Sequence, residues 1–161
     1  MEINQLEDRL AALETIVGLL ADEAAIRELI CSWGPACDIG DSEAAAALWT
    51  EDGVLVSDMS RLEGPAGVAA MVESDGQQAL IRQGCAHVQG LPVIKIDVDR
   101  ATATNYSRVY LHTDSGYEIW RVSANSWEFR RIPAGWRVTR RTAHVIDGGP
   151  EARELLARGL A

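Results

Sequence analysis

One change of period governs what this chain can fold into. Up to Trp49 the apolar residues recur at spacings of three and four, which is the signature of helices. From Ala86 onward they alternate in long runs, separated by the turn segments Asp114-Ser115-Gly116 and Pro133-Ala134-Gly135. Helices followed by hairpin-connected strands predict an α+β fold, a cone-shaped, curved antiparallel sheet packed against N-terminal helices. Such a cone holds a pocket between the concave face of the sheet and the helices, and ligand sites are largely apolar concavities of this kind. At 161 residues the chain fits one domain, 1–161, and can bury roughly 70% of its unfolded surface.

The helical part divides at recognisable signals. In "INQLEDRLAALETIVGLL", Leu6, Leu10, Leu13, Val17 and Leu20 are spaced 4, 3, 4 and 3 apart, a narrow apolar stripe over a helix within residues 1–20. The stripe either covers the core or meets a neighbouring subunit. A second helix, "DEAAIRELICSW", carries Ile26, Leu29, Ile30 and Trp33 on one face, and Gly34-Pro35 is expected to disturb it, since proline removes one helical hydrogen bond. Gly40 suits the left-handed residue that closes a helix, and Asp41 is a good N-cap for "SEAAAALW". A short strand "GVLVS", a short helix "EGPAGVAAMVES", a strand broken at Gly90-Pro92 and a final helix "PEARELLARGLA" complete the reading.

Charge removes several classes of function. A net charge of -9, with Lys95 the one lysine, argues against nucleic acid and anionic membranes as partners. No stretch approaches the ~18 consecutive apolar residues needed to cross a bilayer, and the acidic, amphipathic start is unlike a signal peptide. Cys31, Cys37 and Cys85 lack metal-binding spacing and read as free thiols in a reducing cytoplasm.

Asp38 stands out, because a carboxylate at a helix C-terminus faces the negative end of the helix dipole. Three histidines are present, His87, His112 and His144. Asp38 and His87 both fall at element ends, where a cone opens, and an aspartate holding an imidazole in an apolar cavity makes a proton-transfer unit. Spacing alone leaves this pairing open beside a capping Asp38 and a hydrogen-bonded structural His87. On the last strand, alternation places Trp136, Val138, Arg140, Thr142 and His144 on one face and Arg137, Thr139, Arg141 and Ala143 on the other. Asn105, Ser107, Val109 and Leu111 suit a pocket wall, with His112 outside. Asn125 is a polar residue of the pocket or the site of a bulge.

The stretches "ADEAAIRELICSWGPACDIGDSEAAAALWTEDGVL", "GPAGVAAMV", "HVQGLPVIKIDVDRATATNY" and "GWRVTRRTAHVIDG" together resemble the SnoaL-like branch of the nuclear transport factor 2-like superfamily. Within it the chain is most similar to cofactor-independent lyases: bile-acid 7α-dehydratases, hexachlorocyclohexane dehydrochlorinases and scytalone dehydratases. The resemblance implies an aspartate on the second helix, Asp38, that orients a histidine base on the first long strand, His87, with no metal and no cofactor. It departs where Trp33 replaces a pocket tyrosine, leaving an indole N–H as donor, and where Pro35 precedes Asp38. A leaving group needs a donor to receive its charge. Arg140, Arg141 and His144 are the candidates; the family's arginine falls nearest Arg141, against the alternation, and a bulge would reconcile the two.

The expected activity is elimination from a small hydrophobic cyclic or aromatic substrate, held among Trp33, Trp49, Asn125 and Trp127, with Met59, Met71 and Phe129 shaping the volume. An isomerase using the same base is the alternative, as is a non-catalytic small subunit of an aromatic-ring dioxygenase or a ligand-binding module. The resemblance also implies a homo-oligomer, a trimer before a dimer.

Overall fold

The computed structural model describes residues 3–161. Its elements run α1 (Ile3–Asp38), α2 (Ser42–Ala47), β1 (Trp49–Ser57), β2 (Arg61–Glu63), α3 (Gly64–Glu73), α4 (Asp75–Gln83), β3 (Cys85–Gln89), β4 (Val93–Asp97), β5 (Arg100–Thr113), β6 (Gly116–Ile132), β7 (Gly135–Val145) and α5 (Pro150–Leu160). The strands form one sheet in the order β2-β1-β7-β6-β5-β3, with β4 also paired to β5 beyond the Gly90-Pro92 break.

Three expectations need correction. The two N-terminal helices are one: α1 continues through Pro35 for 36 residues. Proline leaves the Cys31 carbonyl without its helical donor, but Cys31 is exposed, so water can serve that group. The buried row Ile26, Ile30, Trp33 and Cys37 holds the helix to the core on both sides of the expected break. Second, the sheet is mixed rather than wholly antiparallel, since β1 runs parallel to β7. A hairpin imposes antiparallel pairing, whereas β1 reaches β7 through the whole intervening chain and no turn sets its direction. Third, β2 and α4 are elements that the sequence reading lacks; α4 starts at an N-cap, Ser74, whose side chain accepts from the Gln77 N–H.

The end of α1 follows the sequence signals. Gly40 lies at φ 74°, the Asp41 N–H reaches the Ala36 carbonyl at 3.0 Å, and the Asp41 carboxylate accepts from the Ala44 N–H at 2.9 Å. This is a Schellman closure followed directly by an N-cap, so the chain turns sharply after Asp38.

Two contacts fix how α1 lies in the cone. Midway along it Asp22 accepts from Arg131 at 2.8 and 2.6 Å and from the Trp136 indole at 3.0 Å. Near its C-terminal end Gly34 runs so close to β3 that a Cβ there would sit 1.9 Å from the His87 carbonyl oxygen. The core between helix and sheet is completed by Trp49, Leu55, Val68, Val72, Phe129 and Val138. On the other face α5 packs Ala152 and Leu155 against Ala124.

The N-terminal stripe does not cover this core. Leu6, Leu10, Leu13, Val17 and Leu20 are 48–62% exposed, and the first buried residue of α1 is Ile26.

Two glycines of α1 test this picture in opposite directions. Gly34→Ala is expected to cost about 2 kcal/mol or more, because the overlap is with backbone that cannot yield. Gly18→Ala, with nothing within 4 Å, is expected to stabilise by up to about 1 kcal/mol through helix propensity. Thermal denaturation of the two variants beside the parent checks both signs.

Candidate active site

The space between α1, α3, α4 and the concave sheet face is a cavity of about 190 Å³. Trp33, Leu55, Met59, Met71, Leu80 and Val109 supply its apolar wall. His87 in that wall can transfer a proton, and Arg141 is its buried cation, with Arg108 and Arg121 also on the lining.

Asp38 is the last residue of α1, and His87 lies in the middle of β3 opposite Val109. The sharp turn after α1 and the close passage at Gly34 bring them together. One carboxylate oxygen of Asp38 lies 2.5 Å from His87 Nδ1 and accepts from the Cys85 thiol at 3.4 Å; the other accepts the His87 backbone N–H at 2.7 Å. Both side chains are about one-fifth exposed. Burial pushes the Asp38 pKa up, but the hydrogen bonds from the His87 ring and backbone and from Cys85 outweigh it and hold the carboxyl below its ordinary value. An ionised carboxylate only accepts, so in the neutral ring Nδ1 carries the proton and Nε2 keeps its lone pair. The aspartate at the unfavourable end of a helix dipole therefore has partners that offset the dipole.

Arg141 is 8% exposed and forms no ion pair among the described residues. Its Nε and Nη2 both donate to Asn125 Oδ1, at 3.1 and 2.8 Å. The guanidinium lies 4.6 Å from the Trp127 ring centre and 5.3 Å from that of Trp33. Burial draws its pKa down to about 10. Asn125 donates in turn to Ser107 Oγ at 3.0 Å, and the Trp127 indole donates to Asn105 at 3.0 Å. A buried cation is thus oriented by a neutral amide and two aromatic faces, with its charge left uncancelled.

A bulge explains why Arg141, rather than Arg140, faces inward. Glu128 pairs with Arg140 and Phe129 with Val138, leaving Thr139 as an extra residue on β7. The inward face then runs Trp136, Val138, Arg141, Ala143, and the strict alternation shifts by one. Arg140 points away, 4.0 Å from Glu128.

His144 is not part of the cavity wall either. Its Nδ1 lies 2.5 Å from Asp58, which also accepts from the Val145 N–H at 2.7 Å and from Arg121 at 3.0 Å. This cluster fastens the β1–β2 connection, whose Met59 and Ser60 border the cavity. Trp49 packs edge-on behind Trp33 at 5.7 Å, and Trp127 is fully buried beneath Arg141, so both support wall residues instead of lining the cavity. Asn125 is fully buried and lies outside the bulge, backing the arginine. His112 is exposed, as the strand alternation predicts.

Cys85, Gln77, Gln89, Arg121 and Asp58 belong to the site or its border without having been singled out in the sequence. Ser107 stands on a face that alternation assigns to the pocket, whereas Cys85 and Asp58 carry no signal of their own. Asp38, Cys85 and His87 form the one group of three metal-capable side chains found among the described residues, their ligand atoms all within 4.8 Å of one another.

The model of the SnoaL-like domain matches residues 19–142. An NTF2-like protein with a cystatin-like fold from Novosphingobium aromaticivorans is 40% identical, covers 96% of this chain and 97% of its own, and superposes with a TM-score of 0.84. Hexachlorocyclohexane dehydrochlorinase LinA-type3 from Novosphingobium barchaimii shares the fold at 15% identity, with a TM-score of 0.70 over 81% of this chain and 90% of its own. LinA itself does so at 17% identity and a TM-score of 0.71, covering 80% of this chain and 88% of that one. No curated protein gives a significant match. The described chain, an α+β cone built on a mixed sheet, belongs to the SnoaL-like domain family within the NTF2-like, cystatin-like fold.

Proposed function

We propose that this protein is a cofactor-independent lyase that eliminates a leaving group from a small hydrophobic cyclic substrate. The observation that carries the reading is the 2.5 Å contact that locks the His87 ring to Asp38 at the wall of an apolar cavity. In this arrangement Nε2 takes a proton from the carbon beside the leaving group. The C–H electrons form the new double bond, and the leaving group departs with its bonding pair as an anion or, after protonation, as a neutral molecule. Asp38 stabilises the imidazolium so formed, and Arg141 stabilises the departing negative charge.

The size of the cavity bears on the substrate. A cavity of roughly 150 Å³ takes benzene, so about 190 Å³ suits one substituted ring, and a fused multi-ring substrate would extend through the mouth. The fold is shared with a hexachlorocyclohexane dehydrochlorinase, which makes halogenated cyclohexanes the first probes, followed by hydroxylated single-ring compounds.

Asp38→Asn is expected to lower kcat/KM for a substrate found in this way by about 10²–10⁴-fold, since the ring loses the charge that orients and stabilises it. The amide oxygen introduced by this substitution can still accept the His87 N–H, so the fold is expected to persist. The depressed Asp38 pKa also sets a pH signature. Below its ordinary value of 3.8 the unfolded carboxyl takes up protons before the folded one, so this contribution to stability is complete above that pH and is lost as pH falls through the folded value. The stability gap between parent and Asp38→Asn should therefore narrow only on the acid side of about pH 4. Turnover by Asp38→Asn and His87→Ala at parental rates would end the lyase reading.

Asn125→Asp tests the uncancelled charge. A carboxylate at that position pairs with Arg141 and neutralises it, so turnover is expected to fall at least 10-fold while the melting temperature holds or rises. Undiminished turnover would show that the charge on Arg141 plays no part in the reaction.

A further inference from the structure

We propose that Cys85 makes the Asp38–His87 pair a latent zinc site. The Cys85 sulfur lies 3.4 Å from the Asp38 oxygen that also meets His87 Nδ1 at 2.5 Å. Tetrahedral zinc, with bonds of about 2.0–2.3 Å, sets its ligand atoms about 3.3–3.6 Å apart. The sulfur–oxygen edge already has that length, and the nitrogen–oxygen edge reaches it by opening about 0.8 Å. The other Asp38 oxygen stays on the His87 N–H, a support that orients a carboxylate ligand. A thiolate, an imidazole and one carboxylate select a borderline-soft ion such as zinc over magnesium or calcium. On binding, zinc displaces the thiol proton to solvent, while the His87 proton moves to Nε2 so that Nδ1 can ligate. The base of the proposed elimination is thereby blocked, so zinc would inhibit. The binding claim rests on the geometry of the three side chains, and only the inhibition rests on the lyase reading.

Cobalt(II) serves as the spectroscopic probe on the full chain. The expected result is one equivalent bound in a tetrahedral field with a thiolate charge-transfer band, bleached by added zinc. Cys85→Ser should lose that band, and Cys31→Ser, altering an exposed thiol, should keep it. Absence of the band, or its survival in Cys85→Ser, overturns the proposal. A failed search for lyase activity leaves the cobalt spectrum unaffected, so the two readings fail separately.

The N-terminal half of α1 carries an independent surface. Ile3, Leu6, Leu10, Leu13, Ile16, Val17, Leu19 and Leu20 are 48–73% exposed along a helix segment of about 27 Å. Such a segment is marginal in water without a packed apolar face. We infer that a second copy of this chain covers it in a parallel two-stranded coiled coil. Ile3, Leu10 and Val17 fall at heptad position a, and Leu6, Leu13 and Leu20 at d; leucine at every d with β-branched residues at two of the a positions favours two strands over three. Parallel pairing sets Arg9 against Glu14 of the second copy and Ile16 against Ala21. The acidic flanks Glu7, Asp8 and Glu14 disfavour an anionic membrane as the cover.

Light scattering of the full chain is expected to give twice the chain mass of 17.5 kDa. Leu13→Asp, at an exposed position, should give the monomer mass with unchanged melting of the body. Glu14→Arg should weaken association, and Arg9→Glu combined with Glu14→Arg should restore it. A monomeric or trimeric parent, a dimer that survives Leu13→Asp, or charge reversal without restoration overturns the inference.

Discussion

The grip of Asp38 on His87 is the constraint around which the rest is arranged. One carboxylate takes a backbone N–H, a ring N–H and a thiol, so it fixes the imidazole in position and in tautomer at once. That grip needs the end of a 36-residue helix delivered to the middle of a strand. Gly34 allows the close approach, Gly40 ends the helix soon after, and the Asp22–Arg131–Trp136 contact anchors the helix midway along its length. Helix register and site geometry are therefore one problem, which is why a proline inside α1 is tolerated without displacing Asp38.

Arg141 presents the opposite arrangement. Buried charges ordinarily have a counter-charge or are strongly disfavoured. Here a neutral asparagine and two indole faces support the guanidinium, which keeps its field directed at the cavity. A histidine at one wall, backed by an acid held below its ordinary pKa, and an uncancelled cation at another give an apolar hollow two defined electrostatic poles. The proposed elimination would place positive charge on the base and negative charge on the leaving group, a separation that these two poles would stabilise.

Part of the site is legible in the chain, and the failures have physical causes. Asp38 announces itself by its unfavourable place on a helix, and Ser107 by alternation. Arg140 and Arg141 exchange places because one extra residue, Thr139, shifts the strand by half a period, and a bulge carries no composition of its own here. His144 leaves the inward face for the same reason. Helix α4 escapes a sequence reading because it is nine residues long and mostly polar, with Leu80 and Ile81 as its large apolar residues, too few to show a period. Trp49 and Trp127 stand behind the cavity wall and not in it, since whether a large ring lines a hollow or backs its wall depends on packing.

The sequence by itself determined the class of fold, the helix closures, the turns and the residue types available for proton transfer, because periodicity, capping and turn chemistry act over a few residues. Tertiary structure alone decided that β1 runs parallel to β7, that Arg141 faces inward, that Cys85 touches Asp38 and that the leucine stripe stays outside the core. Each of those depends on which distant segments meet and at what register, and contacts between residues far apart in the chain leave no local pattern to read.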